Sequence, residues 1–297
     1  MGAVINPANS ALHNAWQSYC RSRFACMGLV IFLLCSGLAV FAPWLTPQNP
    51  FLQASLNLAD SRLPPWTTGT CGYIHIFGTD ADGRDLYSAI VYGLRTSMTI
   101  GIISGAVALA IGVVFGLFAG FLGGRAGGFI MRLVDLQLSF PPLMLALALV
   151  AAFGQGEMQV IIALVTAQYA YFARTIHGTI LAESRKGYIE AAVATPLPLR
   201  RILFCHLLPN VLPSLVVVAT AQIASAIMME ATLSFLGVGL PVTEPSLGGL
   251  IYRGFEYMQS GRYWMSFYPG LALIILVLSI NLIGDRLRDM LNPRMMK

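Results

Sequence analysis

The stretch YIEAAVATPLPLRRILFCHLLPNVLP, Tyr188 to Pro213, interrupts an otherwise apolar chain with one acid, two adjacent arginines, a histidine and four prolines. On either side the sequence returns to long hydrophobic runs. The interruption therefore reads as a loop between membrane segments, not as part of a soluble core. Composition supports that reading: of 297 residues, 57% are hydrophobic and 10% charged, where soluble domains carry about 25% charged residues. The net charge of +5 comes without a basic tract, so it reads as a membrane-orientation signal and no nucleic-acid partner is implied. The five cysteines and four histidines show no CxxC pair and no ligand spacing, which speaks against a disulfide framework or a metal site.

A membrane-spanning helix needs about 20 apolar residues. Working outward from the stretch, six segments meet or approach that length: Phe24–Leu45, Ser97–Leu122, Phe129–Phe153, Met158–Ala173, Val211–Gly239 and Phe267–Gly284. The expected fold is an all-α integral membrane protein with six transmembrane helices. With the N-terminus inside, thirteen Lys and Arg residues fall on the cytoplasmic side and five on the other, so both termini are expected to be cytoplasmic. The run Phe24–Leu45 is too long for a typical signal-peptide core and reads as an uncleaved anchor. Three parts follow: a cytoplasmic lead with first anchor (1–45), an external loop with an amphipathic helix (46–96) and a core of five transmembrane helices (97–297).

Within the spans, Ser104, Ala108, Gly112, Gly116, Gly120 and Gly124 recur every fourth residue. Such a stripe lets another helix approach closely, either inside this chain or at a subunit interface. Two acids are costly in a membrane. Asp135 follows Arg132 by three residues and suggests an ion pair with it. Glu230 has no base within a turn, which leaves a packed hydrogen-bonded role or a gating role. In FGTDADGRDLYSAI, Asp80, Gly83, Arg84 and Asp85 precede the second span. Arg84 and Val91 occupy positions where a calcium loop needs ligands, so the acids read as caps for an amphipathic helix at the outer surface. No phosphate-binding loop, nucleophile–base pair or metal-ligand spacing is present, so no catalytic residue is assigned and the chain is not expected to hydrolyse ATP.

The opening stretch itself reads as two short helices with a break. Thr195 can cap the second, Pro196 and Pro198 fit its first turn, and Leu199–Leu208 completes it. Arg200 and Arg201 face out, and Leu197, Ile202, Leu203 and Leu207 offer a docking edge. Pro209 and Pro213 govern re-entry into the next span.

EAAVATPLPLRRILFCHLLPN resembles the cytoplasmic signature of permease subunits in binding-protein-dependent importers of the ATP-binding-cassette superfamily: E-A-A, three residues, G, nine residues, I-x-L-P. Glu190, Ala191 and Ala192 match its start and Leu208-Pro209 its end; Pro196 replaces the glycine, and Cys205 or Leu207 the isoleucine. FGTDADGRDLYSAIVYGLRTSM, RLVDLQLSFPPLMLAL, EATLSFLGVGLP and NLIGDRLRDMLNP are similar, in order, to the second, "C"-type permease of the dipeptide, oligopeptide and nickel branch. That resemblance implies a cytoplasmic coupling helix between spans four and five, involving Glu190, Ala191, Ala192, Pro196, Arg200, Arg201, Leu208 and Pro209. It also implies a second homologous permease, two cytoplasmic ATP-binding subunits carrying the ATP and magnesium, an extracytoplasmic solute-binding protein and a place in the bacterial inner membrane. The solute would be a peptide or peptide-like compound, with nickel as the alternative. An ATP-independent secondary transporter using Asp135 and Glu230, or a membrane scaffold, are the competing classes.

Overall fold

The computed structural model describes residues 17–50, 52, 57–70, 72–195, 198 and 201–291, with the side chains of Glu190 and Val193 outside that description. Pro196 and Arg200 therefore lie outside the described residues. The helices, in chain order, are α1 (Arg23–Val40), α2 (Ala42–Leu45), α3 (Leu86–Leu122), α4 (Gly124–Leu138), α5 (Pro142–Phe153), α6 (Glu157–Glu183), α7 (Gly187–Ala194), α8 (Leu208–Phe235), α9 (Leu247–Phe255) and α10 (Trp264–Leu291). A two-stranded antiparallel hairpin, β1 (Thr67–Thr68) and β2 (Ile74–His75), pairs Thr67 with His75 and Thr68 with Ile74.

By length and apolar composition four helices can cross a membrane: α1, α3, the continuous helix Ile202–Phe235 that contains α8, and α10. The expected third span, Phe129–Phe153, is not one helix. It divides into α4 and α5, bent by 84°, because Pro141 and Pro142 supply no N–H and force the preceding residue out of helical geometry. The pair still counts as a fifth crossing if both halves are one broken span. The expected fourth span lies inside α6, whose 27 residues also carry Gln168, Arg174 and His177 and so fall short on composition.

The second correction concerns the amphipathic helix before span two. Asp85 is the N-cap, its carboxylate accepting from the Ser88 N–H at 2.8 Å, but the helix it starts does not stop. It runs on as α3 for 37 residues, about 55 Å at 1.5 Å per residue, and Leu86 and residues 88–94 are buried. The turn residues between the two expected pieces, Arg95 and Thr96, are ordinary helix formers with nothing to break the ladder. The segment is the inner start of a long helix, not a surface helix.

The small-residue stripe explains how α3 is held. A Cβ at Gly112 would lie 2.3 Å from Phe172 Cβ, one at Gly116 2.7 Å from Ile176 Cβ, and one at Gly120 2.8 Å from Ile180 Cγ2. Both numbers climb together, so α3 and α6 run parallel with backbones almost touching, the arrangement that small residues permit in lipid. The α10 helix is the second pillar. It takes α1 at Gly28, where a Cβ would meet Leu282 Cβ at 2.7 Å, and α9 at Gly254, where one would meet the Met265 and Ser266 backbone at 2.4 Å.

Candidate functional site

The segment between α6 and α8 is built against the ends of those two helices. Glu183, the last residue of α6, accepts from the Tyr188 hydroxyl at 2.5 Å and from Lys186 Nζ at 2.8 Å, which folds α7 back under α6. Burial pushes the Glu183 carboxyl up, but the hydrogen bonds from Lys186 and Tyr188 outweigh it and hold the group below its ordinary value. Burial and the same carboxylate push the Tyr188 phenol up to about 12. At the other end of α7, Thr195 Oγ1 donates to the Ala191 carbonyl at 2.7 Å, and its extended backbone (ψ 148°) is the geometry favoured before a proline.

The expected second short helix, Leu199–Leu208, takes a different form. Its described part is a π-helical turn, Ile202–Leu207, that continues without a break into α8. Leu208 and Pro209 lie inside this continuous helix, and the π turn just before them, in which the Leu208 N–H reaches back five residues to the Leu203 carbonyl, is where the ladder adjusts to the N–H that Pro209 lacks. Ile202, Leu203 and Leu207 are buried in one cluster with Ile189 of α7, Ile176 and Ile180 of α6 and Val211 of α8. The outer side is left uncovered: Tyr188 and Phe204 are 43% and 55% exposed, and Ala191 and Arg201 are exposed. Ala192, in contrast, is buried. The segment is thus a projection with an anchored apolar underside and a free outer face.

At the opposite end of α3 the turn around Asp80, Gly83, Arg84 and Asp85 is a hydrogen-bonded staple. Asp80 Oδ1 accepts from the Asp82 and Arg84 N–H groups at 2.9 and 2.8 Å. Burial pushes the Asp80 carboxyl up, against the pull of the Arg84 N–H and the nearby guanidinium groups. Gly83 (φ +75°) has no room for a side chain, since a Cβ would sit 2.2 Å from the Asn57 carbonyl oxygen. Arg84 reaches across to the Val242 carbonyl at 3.3 Å, and Arg253 of α9 donates to the same carbonyl at 3.3 Å. Asp85 ties in the hairpin and the end of the first helical segment: its Oδ1 lies 2.9 Å from His75 Nδ1, and its N–H donates to Gln48 at 2.7 Å. The sequence named the acids but not His75, Gln48 or Arg253 as their partners. No spacing could have shown them, because they lie 10, 37 and about 170 residues away.

The two acids within the spans separate. Asp135 does not pair with Arg132; it pairs with Arg174 of α6 at 3.1 Å, both side chains about half exposed. The bend after α4 and the antiparallel packing of α4 on α6 bring Arg174 closer than the neighbour on the same helix. Glu230 is fully buried. It accepts from Ser97 of α3 at 2.7 Å and Ser234 one turn later at 2.8 Å, and Ser246, the N-cap of α9, also bonds to it. Three elements meet on this one carboxylate. Only Ser234, at i+4, was within reach of sequence reasoning. Among the described residues no group of three or more His, Cys, Asp and Glu converges as a metal site would.

Two family models match the chain. One, described as a binding-protein-dependent transport system inner membrane component, matches residues 112–297; the other, the N-terminal TM domain of oligopeptide transport permease C, matches residues 10–65. Curated relatives include the di/tripeptide transport system permease protein DppC of Pseudomonas aeruginosa, 36% identical over 96% of this chain and 93% of that protein. The dipeptide transport system permease protein DppC of Escherichia coli K12 is likewise 36% identical, over 96% and 93%. The probable D,D-dipeptide transport system permease protein DdpC of the same organism is 34% identical over 89% and 86%. Among solved structures, an inward-facing MetNI methionine ABC transporter chain superposes with a TM-score of 0.58 at 22% identity, covering 69% of this chain and 97% of that one. That likeness is one of fold.

Proposed function

The chain belongs to the family of binding-protein-dependent transport system inner membrane components, and from that membership we propose how it works as a permease subunit of an ATP-driven importer for di- or oligopeptides. The relatives' names favour peptides over nickel as the solute. The translocation pathway forms between this chain and a second, homologous permease. Two cytoplasmic subunits bind ATP and magnesium, and an extracytoplasmic solute-binding protein delivers the peptide. This chain contributes no catalytic group. It crosses the bacterial inner membrane six times, the broken α4–α5 pair and α6 completing the count, with both termini in the cytoplasm. Residues 1–45 are the lead and anchor, 46–96 the external loop and 97–297 the permease core.

The observation that carries the coupling assignment is the projection between α6 and α8. Its underside is fastened to both helices through Ile189, Ile202, Leu203 and Leu207, while its outer face is free. A force applied to that face reaches two spans at once, which is what a lever between an ATPase and a gate requires. Glu190, Ala191, Ala192, Pro196, Arg200, Arg201, Leu208 and Pro209 form the lever. Exposed Ala191 allows close docking of a partner, whereas buried Ala192 seats the lever on its own chain.

The test replaces Glu190 with leucine and follows peptide uptake, membrane insertion and ATPase co-purification. Insertion is expected to be normal, with uptake abolished and ATPase recovery reduced. Normal uptake in that variant would refute the coupling assignment.

A further inference from the structure

The face of α4 turned away from the protein has a composition that the transport role leaves unused. Gly127, Met131 and Val134 are the buried residues of this helix, and they pack toward Ala119, Ala170 and Ala173. On the opposite side, at offsets of four, three and four residues, stand Arg125, Phe129, Arg132 and Leu136. All four are exposed, Phe129 by 65% and Leu136 by 62%.

Among the described residues no carboxylate forms an ion pair with either arginine. The one acid on α4, Asp135, is held by Arg174. Gly124, Arg125, Gly128, Phe129 and Arg132 line a concave cleft of about 620 Å³. Its floor is open to close approach, because added side chains at Gly124 or Gly128 would meet nothing within 4 Å. The N-cap is Gly123, which has no side chain to cap the helix. Two cations and a flanking aromatic on one face call for a phosphate attached to something apolar.

We propose that this cleft seats the phosphate headgroup of an anionic lipid of the inner leaflet, with Arg125 and Arg132 on the phosphate and Phe129 and Leu136 against the acyl chains. The placement rests on the membrane-spanning reading given above, in which the α3–α4 turn is cytoplasmic. That side is also where anionic lipid attracts basic residues. Arg125 and Arg132 lie about 10 Å apart along the helix, so one headgroup with its glycerol can bridge them.

The test uses the intact importer purified in neutral detergent, with phosphatidylglycerol or phosphatidylcholine added and bound lipid counted by native mass spectrometry. The parent should retain phosphatidylglycerol in preference to phosphatidylcholine. The Arg125→Gln/Arg132→Gln variant should bind it about thirty-fold more weakly, roughly five-fold per arginine. An Arg21→Gln/Arg23→Gln variant serves as control and should bind like the parent. Equal retention in parent and α4 variant overturns the proposal, as does equal loss in the control, which would mean general attraction only. Displacement by millimolar inorganic phosphate would identify a free-anion site instead. Loss of the second permease with lipid retention unchanged would make the face a protein interface. If no permease or ATPase co-purifies with the parent, yet the lipid is still lost on mutation, the importer reading fails and the lipid site stands.

Discussion

Replacing the glycines of α3 with alanine gives a graded test of how α3 and α6 are joined. At Gly112 the new methyl would sit 2.3 Å from Phe172 Cβ and 3.0 Å from the Ala173 nitrogen and Tyr169 oxygen. Relief to ordinary contact requires the helices to separate by about 1 Å over several residues, and overpacking of this kind costs about 1–3 kcal/mol. Gly116→Ala meets Ile176 Cβ at 2.7 Å and the Ala173 carbonyl at 2.8 Å, so it too strains backbone. At Gly120 the nearest atoms are Ile180 Cγ2 at 2.8 Å and Cβ at 3.1 Å, with the nearest backbone atom, the His177 oxygen, at 3.6 Å; the side chain is stiff but the backbones are less crowded, so the cost should be about 1 kcal/mol, at the low end of the range. Gly37 of α1 has nothing within 4 Å; there alanine should stabilise by up to about 1 kcal/mol through helix propensity. Each variant would be purified in the same detergent and its unfolding midpoint read by fluorescence. The expected order of midpoints is Gly37→Ala highest, then parent, Gly120→Ala, Gly116→Ala and Gly112→Ala lowest. Midpoints that ignore this order, or a Gly112→Ala protein as stable as the parent, would show that α3 and α6 do not touch as described.

Three further outcomes are expected. Glu230→Leu leaves the Ser97, Ser234 and Ser246 hydroxyls without their shared acceptor and should lower stability by about 3 kcal/mol, near 1 per lost hydrogen bond; Glu230→Gln, which keeps an acceptor, should lose less, and equal losses in a chemical unfolding series would contradict the three-way junction. Asp135→Asn breaks a half-exposed pair with Arg174 and should change stability by under about 1 kcal/mol; a larger drop in the melting midpoint would mean that the pair is covered in the assembly. Hydrogen bonds from Thr70 hold the Asp60 carboxyl below its ordinary value, so its contribution is present above the unfolded carboxylate pKa and is lost as pH falls through the lower folded value. Acidification from pH 6 to pH 3 should therefore lower the melting midpoint more in the parent than in Asp60→Asn, and parallel curves would count against it.

Membrane class and the helix break between α6 and α8 were legible because both rest on local pattern: apolar run length, prolines and short motifs. The number of clean spans was less so. Pro141-Pro142 was visible in the sequence, but a hydrophobic run does not reveal that its two halves meet at 84°. The outer amphipathic helix was misjudged for the opposite reason. Leu86, Ile90 and Leu94 have the spacing of a one-sided helix and pack with Leu247 and Leu250 of α9, yet Val91 and Tyr92 are also covered, by Leu38 of α1 and Ala42 of α2. The acids illustrate the general limit. Arg132 was the near neighbour of Asp135, but helix packing supplied Arg174; Glu230 carried no visible partner, and Ser97 reached it from a position 133 residues earlier. Sequence spacing identifies partners one turn away and is silent about those supplied by another helix.

The parallel pairing of α3 and α6 has a consequence for how the chain is made. Gly112 and its partner Phe172 are separated by the whole α4–α5 segment, so the groove along α3 leaves the ribosome well before anything can fill it. At about 5–20 residues per second, those roughly sixty intervening residues take about 3–12 s to synthesise. During that interval the exposed backbone of α3 is lined only by lipid or by the insertion machinery. A glycine groove of this kind is a waiting site, and slowed translation over α4 and α5 would lengthen the time in which a wrong helix could enter it.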